Sequence, residues 1–297
     1  MRLKRNIFGL GLGLGLFFMM SLGILSANEL NASWKTITQF EVKHTYNLVG
    51  FLNDSYGITV GYGGECHYTN DGGKTWPRAE NKSFCRFGLE ILDETHAWHS
   101  GNAGQVGASN DGGKTWHLVD GFGGGEPEHC RYISFNNAQT GWIASDKVLG
   151  STTDGGQNWS NVKLPEKLTQ ISAIAGLSNE AVYLLDTNKP GGVLFYTNDS
   201  GQHWSSLPLG LKEQCYPVSP TQFPAAMRFF DKEHGMIIAN CKGYQLWELD
   251  TNDGGKTWRR NVIPGPKPTG SLFLAPDGKT LTITGINQII TVLGKKD

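Results

Sequence analysis

The sequence predicts an all-β fold, a six-bladed β-propeller of four-stranded antiparallel blades. Three observations carry that prediction. A nine-residue motif occurs five times, at 68–76, 108–116, 151–159, 196–204 and 250–258. Its aspartates, Asp71, Asp111, Asp154, Asp199 and Asp253, are spaced by 40, 43, 45 and 54 residues, and a fixed period in that range signals stacked supersecondary units. Each copy follows a strand-like stretch and ends in Trp before another short strand. The 40 glycines and nine tryptophans of the chain fit many short strands joined by tight turns.

The motif itself is turn chemistry. The first copy reads Tyr68-Thr-Asn-Asp-Gly-Gly-Lys-Thr-Trp76. Its glycines take positive φ without a Cβ clash, and its Asp can accept hydrogen bonds from backbone N–H groups a few residues on. The hydroxyl of Thr69, Ser109, Thr152, Thr197 or Thr251 can tie the same turn. Trp76, Trp116, Trp159, Trp204 and Trp258 supply large areas to wedge against a neighbouring sheet. This is the Asp-box pattern, Ser/Thr-x-Asp-x-Gly-x-x-Trp, and its residues are assigned to structure. Calcium loops are excluded, because the alternating oxygen ligands and the terminal Glu are missing.

Before the first repeat, Met-Arg-Leu-Lys-Arg is followed by an apolar run from Ile7 to about Leu25 and then Ser26-Ala27. That order reads as a signal peptide over residues 1–27. The alternative is an uncleaved membrane anchor, but five glycines interrupt the run. No cysteine follows it closely, which speaks against a lipid anchor. Residues 28–297 then form one propeller domain, exported to the periplasm or the extracellular space. Loss of Arg2, Lys4 and Arg5 takes the formal net charge from −1 to −4. Such a balance favours neither nucleic acid nor an anionic membrane as partner, and a monomer is expected.

Blades are expected to begin near Tyr46, Phe84, Cys130, Thr169 and Ala225. The stretch from Gly270 to Leu293 offers only three strands and no box. The Trp-led stretch from Trp34 to Glu41 supplies the missing outer strand and closes the ring as part of blade 6. Closure protects edges that an open array would expose. Seven blades, at about 40 residues each, is the second choice.

Box turns should share one face, leaving the d–a and b–c connections on the other. Two d–a connections are long, residues 121–129 and 207–224, and long ordered loops on a rigid scaffold are candidates for function. The five cysteines map to that face. Export permits disulfides, and the expected pairs are Cys66–Cys85 and Cys215–Cys241, with Cys130 left over, although spacing alone does not fix connectivity.

Arg86, Arg131 and Arg228 lie near a-strand starts and make up half of the six arginines after residue 27. They are the candidate partner contacts, able to grip a carboxylate, a phosphate or an acidic peptide. Register argues against a neat cluster: Arg131 lies ten residues before Gly141 but Arg228 only seven before Gly235, which turns the two side chains to opposite faces.

Two stretches carry a fuller signature, Gly61-Tyr-Gly-Gly-Glu-Cys-His-Tyr followed by the first box, and Gly101-Asn-Ala-Gly-Gln-Val-Gly followed by the second. With Thr140-Gly-Trp-Ile-Ala144, they resemble the photosystem II stability and assembly factor-like family of Asp-box propellers. The resemblance spans nearly all of residues 40–260. It implies an exported, non-enzymatic propeller that binds a protein partner and assists assembly of a membrane complex, with arginines on one face in contact. The usual member has seven blades, and this chain reads as one short.

Asp-boxes also occur in sialidases and other glycoside hydrolases, so the rival reading is a carbohydrate-active propeller, hydrolase or glycan-binding. A hydrolase would need two carboxylates facing one bond. Glu65, Glu126, Glu128, Asp146 and Glu213 fall in the right loops, but no spacing picks out a pair, and the Phe-Arg-Ile-Pro start of sialidases is absent. His96 and His99 would face opposite ways on a strand. No catalytic set, metal site or cofactor is expected.

Overall fold

A computed structural model describes residues 34–41, 46–61, 64–81, 87–101, 104–119, 122, 130–145, 148–211, 225–241, 245–265, 268–285 and 289–295. The expected signal segment, Arg86, Cys85, Cys215 and most of both long loops lie outside them. All named elements among the described residues are β-strands, arranged in six sheets.

The first strand, β1 (Trp34–Glu41), belongs to the last blade. Blade 1 holds β2 (Tyr46–Phe51), β3 (Gly57–Gly61) and β4 (Cys66–Thr69). The short β5 (Glu80–Asn81) follows it. Blade 2 holds β6 (Leu89–Ile91), β7 (Ala97–Ser100), β8 (Val106–Ser109) and β9 (Thr115–Val119). Blade 3 holds β10 (Tyr132–Phe135), β11 (Gly141–Ala144), β12 (Leu149–Thr152) and β13 (Ser160–Val162). Blade 4 holds β14 (Ala173–Gly176), β15 (Val182–Asp186), β16 (Val193–Thr197) and β17 (Ser205–Pro208). Blade 5 holds β18 (Ala226–Phe229), β19 (Gly235–Cys241), β20 (Gln245–Thr251) and β21 (Arg259–Ile263). Blade 6 holds β22 (Pro268–Leu274), β23 (Thr280–Gly285), β24 (Ile289–Lys295) and then β1.

Four blades follow the expected four-stranded plan, and two depart from it. Blade 1 is a three-stranded sheet. Its outer segment makes only a bridge from Arg78 to His67, with the Tyr68 N–H donating to Pro77 O and the Ala79 N–H to Cys66 O. The chain then crosses to blade 2, where β5 pairs in parallel with the outer edge of β9 and makes a fifth strand. Pro77 offers no N–H to a ladder, so the outer strand of blade 1 cannot run its full length there.

Neighbouring a-strands touch in unbroken order, β2 to β6, β10, β14, β18, β22 and back to β2. The ring therefore closes, and its apolar core is divided among six seams. One cluster joins Ala173, Leu185 and Leu194 of blade 4 to Met227, Ile237 and Leu249 of blade 5. Another joins Val49 and Phe51 of blade 1 to Ile290 and Val292 of blade 6. Rings stack across two seams: Trp98 on Phe135 at 3.8 Å and Tyr183 on Phe229 at 3.6 Å between centroids. Inner strands such as β3, β7, β11 and β15 are buried on both faces. Rim strands β13 and β17 are largely exposed.

All five boxes fold the same way. The Ser or Thr hydroxyl donates to the Asp Oδ1 at 2.7–2.9 Å and accepts the N–H two residues beyond the Asp at 2.8–3.0 Å. The same Oδ1 accepts the N–H four residues on, and Oδ2 takes that residue's side chain at 2.6–2.7 Å. The hydroxyls of Thr75 and Thr257 are the main reason that Asp71 and Asp253 are held down at about 2. The box of blade 4 carries Ser200 at a φ of 57°, where the other four have glycine. Ser109 is fully buried and serves as both donor and acceptor in its turn. Ser109→Ala should therefore cost about 1–2 kcal/mol in a urea titration, and an unchanged midpoint would remove the hydroxyl from the list of turn determinants.

The ring closes where the sequence places it. β1 pairs antiparallel with β24 from Trp34 opposite Lys295 to Glu41 opposite Ile289, with one bulge at Ile37. The buried Trp34 indole N–H donates to Glu248 Oε2 of blade 5. Lys295 Nζ donates to Glu248 Oε1 at 3.0 Å and lies 3.7 Å from Asp250.

Candidate functional site

The boxes define one face of the disc. In each, the backbone N–H after the Asp donates to a carbonyl of the a–b hairpin in its own blade, as Gly72 does to Ser55, Gly112 to Thr95 and Gly254 to Glu233, all at 2.9 Å. Box turns and a–b hairpins thus share a face, and the a-strand starts with the b–c connections form the other.

Along the channel, hairpin pairs fix one level: Phe51 opposite Gly57, Ile91 opposite Ala97, Phe135 opposite Gly141, Phe229 opposite Gly235 and Leu274 opposite Leu281. The residue before each a-strand member is Gly50, Glu90, Ser134, Arg228 or Phe273. Residues of this layer meet across the axis. Arg228 Nη1 lies 2.8 Å from Glu90 Oε1 and donates to Oε2 at 3.0 Å, while its Nε donates to Leu274 O at 3.1 Å. The Phe273 ring occupies the space of the absent Gly50 side chain, since a Cβ there would lie 2.7 Å from it. Arg228 also lies 6.0 Å from that ring's centroid. An ion pair and a phenyl ring therefore plug the channel.

Arg131 and Arg228 both line a cavity of about 90 Å³ at this plug, together with Glu90, Tyr132 and Gly88. The register difference is real, with Arg131 four residues before Phe135 and Arg228 one before Phe229. It does not keep them apart, because Arg131 precedes the strand, which begins at Tyr132. Arg228 is committed to Glu90, with side-chain exposures of 13% and 2%. Burial pushes the Glu90 carboxyl up to about 7, and Arg228 keeps it from rising further. Sequence reasoning missed Glu90, which lies 138 residues from Arg228.

Among the loop acids, Glu65 pairs with Arg78 at 3.2 Å, while Glu126, Glu128, Asp146 and Glu213 lie outside the described residues. Among the described residues, the one carboxylate lining the channel cavity is Glu90. His96 bonds Asp93 at 2.9 Å, whereas His99 is fully buried, its pKa lowered to about 3 by burial. Among the described residues no group of three His, Cys, Asp or Glu could hold a metal. Cys66 is buried and disulfide-bonded, and Cys130 is a buried thiol.

Comparison with known proteins follows the same direction. The family model described as "Photosynthesis system II assembly factor YCF48" matches residues 83–214. The chain is 33% identical over 288 residues to "Photosystem II assembly lipoprotein Ycf48" of Synechococcus sp. (strain CC9902), covering 94% of this chain and 67% of that protein. A solved structure named "YCF48 bound to D1 peptide" superposes with a TM-score of 0.54 at 17% identity, over 89% of this chain and 97% of that one. A virginiamycin B lyase from Staphylococcus aureus gives 0.56 at 12% identity, over 88% and 99%. Likeness at these identities establishes the propeller fold alone.

Proposed function

Because the chain belongs to the Ycf48 family of photosystem II assembly factors, we propose that it is an exported, non-enzymatic propeller that binds a protein subunit of a membrane complex during assembly. The observation that carries this is the 33% identity to an assembly lipoprotein across 94% of the chain. The membrane-complex relative and the leader-like residues 1–27 support export to the periplasm or an equivalent lumen.

The proposed contact surface is the face opposite the boxes, around the channel mouth. Arg131 is the direct contact there, and Arg86, which lies outside the described residues, is kept as a second candidate from the sequence. Arg228 acts from below, by holding Glu90 and so keeping the plug rigid. A guanidinium at a groove mouth suits a peptide carboxylate, through paired charge-assisted hydrogen bonds. The YCF48 of the solved complex binds a D1 peptide, which makes such a peptide the natural probe.

Titration of a labelled D1 peptide into the mature protein should give saturable binding that weakens with salt. Arg131→Glu should weaken it at least about tenfold, equivalent to roughly 1.4 kcal/mol, without lowering the melting temperature. An unchanged affinity in that variant would remove Arg131 from the surface. No binding to the peptide, with binding to an oligosaccharide array instead, would move the assignment to the carbohydrate reading.

A further inference from the structure

Five seams of the ring are sealed by a box turn lying against the preceding blade. A Cβ added to the second turn glycine would meet Phe40 at Gly73, Ile58 at Gly113, Val119 at Gly156, Val162 at Gly201 and Leu194 at Gly255. The sixth seam, between blades 5 and 6, has no such turn. Register shows what stands there instead. The box hydroxyl always lies opposite the b-strand residue that pairs with the last residue of the a-strand, as Thr69 opposite Gly57, the partner of Phe51, and Thr251 opposite Gly235, the partner of Phe229. In blade 6 that place is Leu293 opposite Leu281, and the place of the box Asp, two residues on, is Lys295.

The facing blade has changed to match. Three residues before the box hydroxyl, blades 1 to 4 carry Cys66, Val106, Leu149 and Leu194, all buried. Blade 5 carries Glu248, which is equally buried. Asp250 follows two residues later on the same side of β20. Beside them lies a cleft of about 510 Å³ on the box face, lined by Asp250, Arg259, Lys295 and the a–b hairpin of blade 6.

We infer that Glu248 and Asp250, acting on Lys295 and Trp34, form a latch that replaces the sixth box and closes the ring more tightly when the acid pair carries a proton. Among the described residues the groups around the pair are few. Lys295 comes from β24 and Arg259 and Asn261 from β21, at 3.0 to 3.4 Å from one or other carboxylate, and the Trp34 indole donates from β1. His234, Asp277 and Lys279 line the cleft farther out, with His234 held by Asp231 at 2.8 Å. Two touching carboxylates cannot both ionise without cost. Burial, then the hydrogen bond and charge of Glu248, push Asp250 up to about 6. Glu248, although buried, is held below its ordinary value by hydrogen bonds from Asp250, Trp34 and Lys295.

The signs follow. The raised Asp250 adds to closure below the ordinary carboxylate range, and its contribution is lost as pH rises through about 6. The lowered Glu248 adds to closure above its ordinary range, and its contribution is lost as pH falls through its lowered value. Closure is therefore tightest in mild acid, between the two.

Hydrogen exchange of β1 in the full chain, read by mass spectrometry and corrected for intrinsic rates, tests this. Protection of residues 34–41 should be about tenfold higher at pH 5 than at pH 8, while β14 to β17 change little. Asp250→Asn should bring the pH 8 value up to that of the wild type at pH 5 and abolish the difference. Lys295→Met should lower protection at both. Equal wild-type protection at the two pH values overturns the latch, as does an Asp250→Asn chain that keeps the wild-type dependence. Should a variant fail to fold, the wild-type pair of measurements decides alone.

Discussion

Trp34→Ala should lower the melting temperature by roughly 10–30 °C. The indole is 3% exposed and packs in the seam cluster with Met236, Ile238, Leu246 and Ile263. Removing a buried Trp to Ala costs about 3–5 kcal/mol through lost burial and the cavity left behind. A second loss follows, because Glu248 surrenders the indole donor while remaining fully buried, worth about another 1–3 kcal/mol. For a domain of this size each kcal/mol moves the midpoint by about 2–4 °C. Trp34→Phe separates the two losses: it retains most of the packing and should show only the smaller shift. A Trp34→Ala chain melting within a degree or two of the wild type would mean that the closing strand adds nothing to the stability of the ring.

Arg228→Ala should destabilise the protein by about 3–5 kcal/mol at pH 8, because it strands a carboxylate in the plugged channel. Glu90 is the group left behind, fully buried and already pushed up to about 7 by burial. Its folded value lies above its ordinary one, so its contribution to stability is present in acid and is lost as pH rises through about 7. Without the guanidinium the carboxyl rises further. The variant should therefore lie closer to the wild type at pH 5, where Glu90 is protonated in both, than at pH 8. Glu90→Leu with Arg228→Met should recover most of the loss, since a buried pair replaced as a unit by apolar groups is often neutral. Denaturant midpoints at the two pH values measure all of this, and equal losses at both would show that the charge of Glu90 is not the cause.

The parts of the fold that were legible in the sequence are those encoded within a few residues. A box is a closed set of hydrogen bonds over nine positions, so the turn face and blade spacing follow from Thr69 to Trp76 and its repeats. The closing strand was legible because Trp34 leads it as a box Trp leads other outer strands. What stayed hidden depends on the ring being closed. Glu90 and Arg228 meet across the channel, which no local pattern reports. The crossing of β5 to blade 2 depends on which edge remains open beyond Pro77. The acid latch lay between these extremes: aligning the five boxes exposes Glu248 among four apolar equivalents, yet its partner on β24 belongs to a repeat with no box to align.

The pairing of β1 with β24 joins residues near opposite ends of the chain, with Trp34 opposite Lys295. Synthesis proceeds from the N-terminus, so among the described strands β1 is made first and its ladder partner β24 last. Until β24 emerges, the nascent disc carries an unpaired edge at blade 6 and an unsealed seam beside it. Long-range pairings of this kind are slow to form and leave strands open to wrong partners meanwhile. A chain that lacks β24 therefore remains an open array, not a slightly smaller propeller.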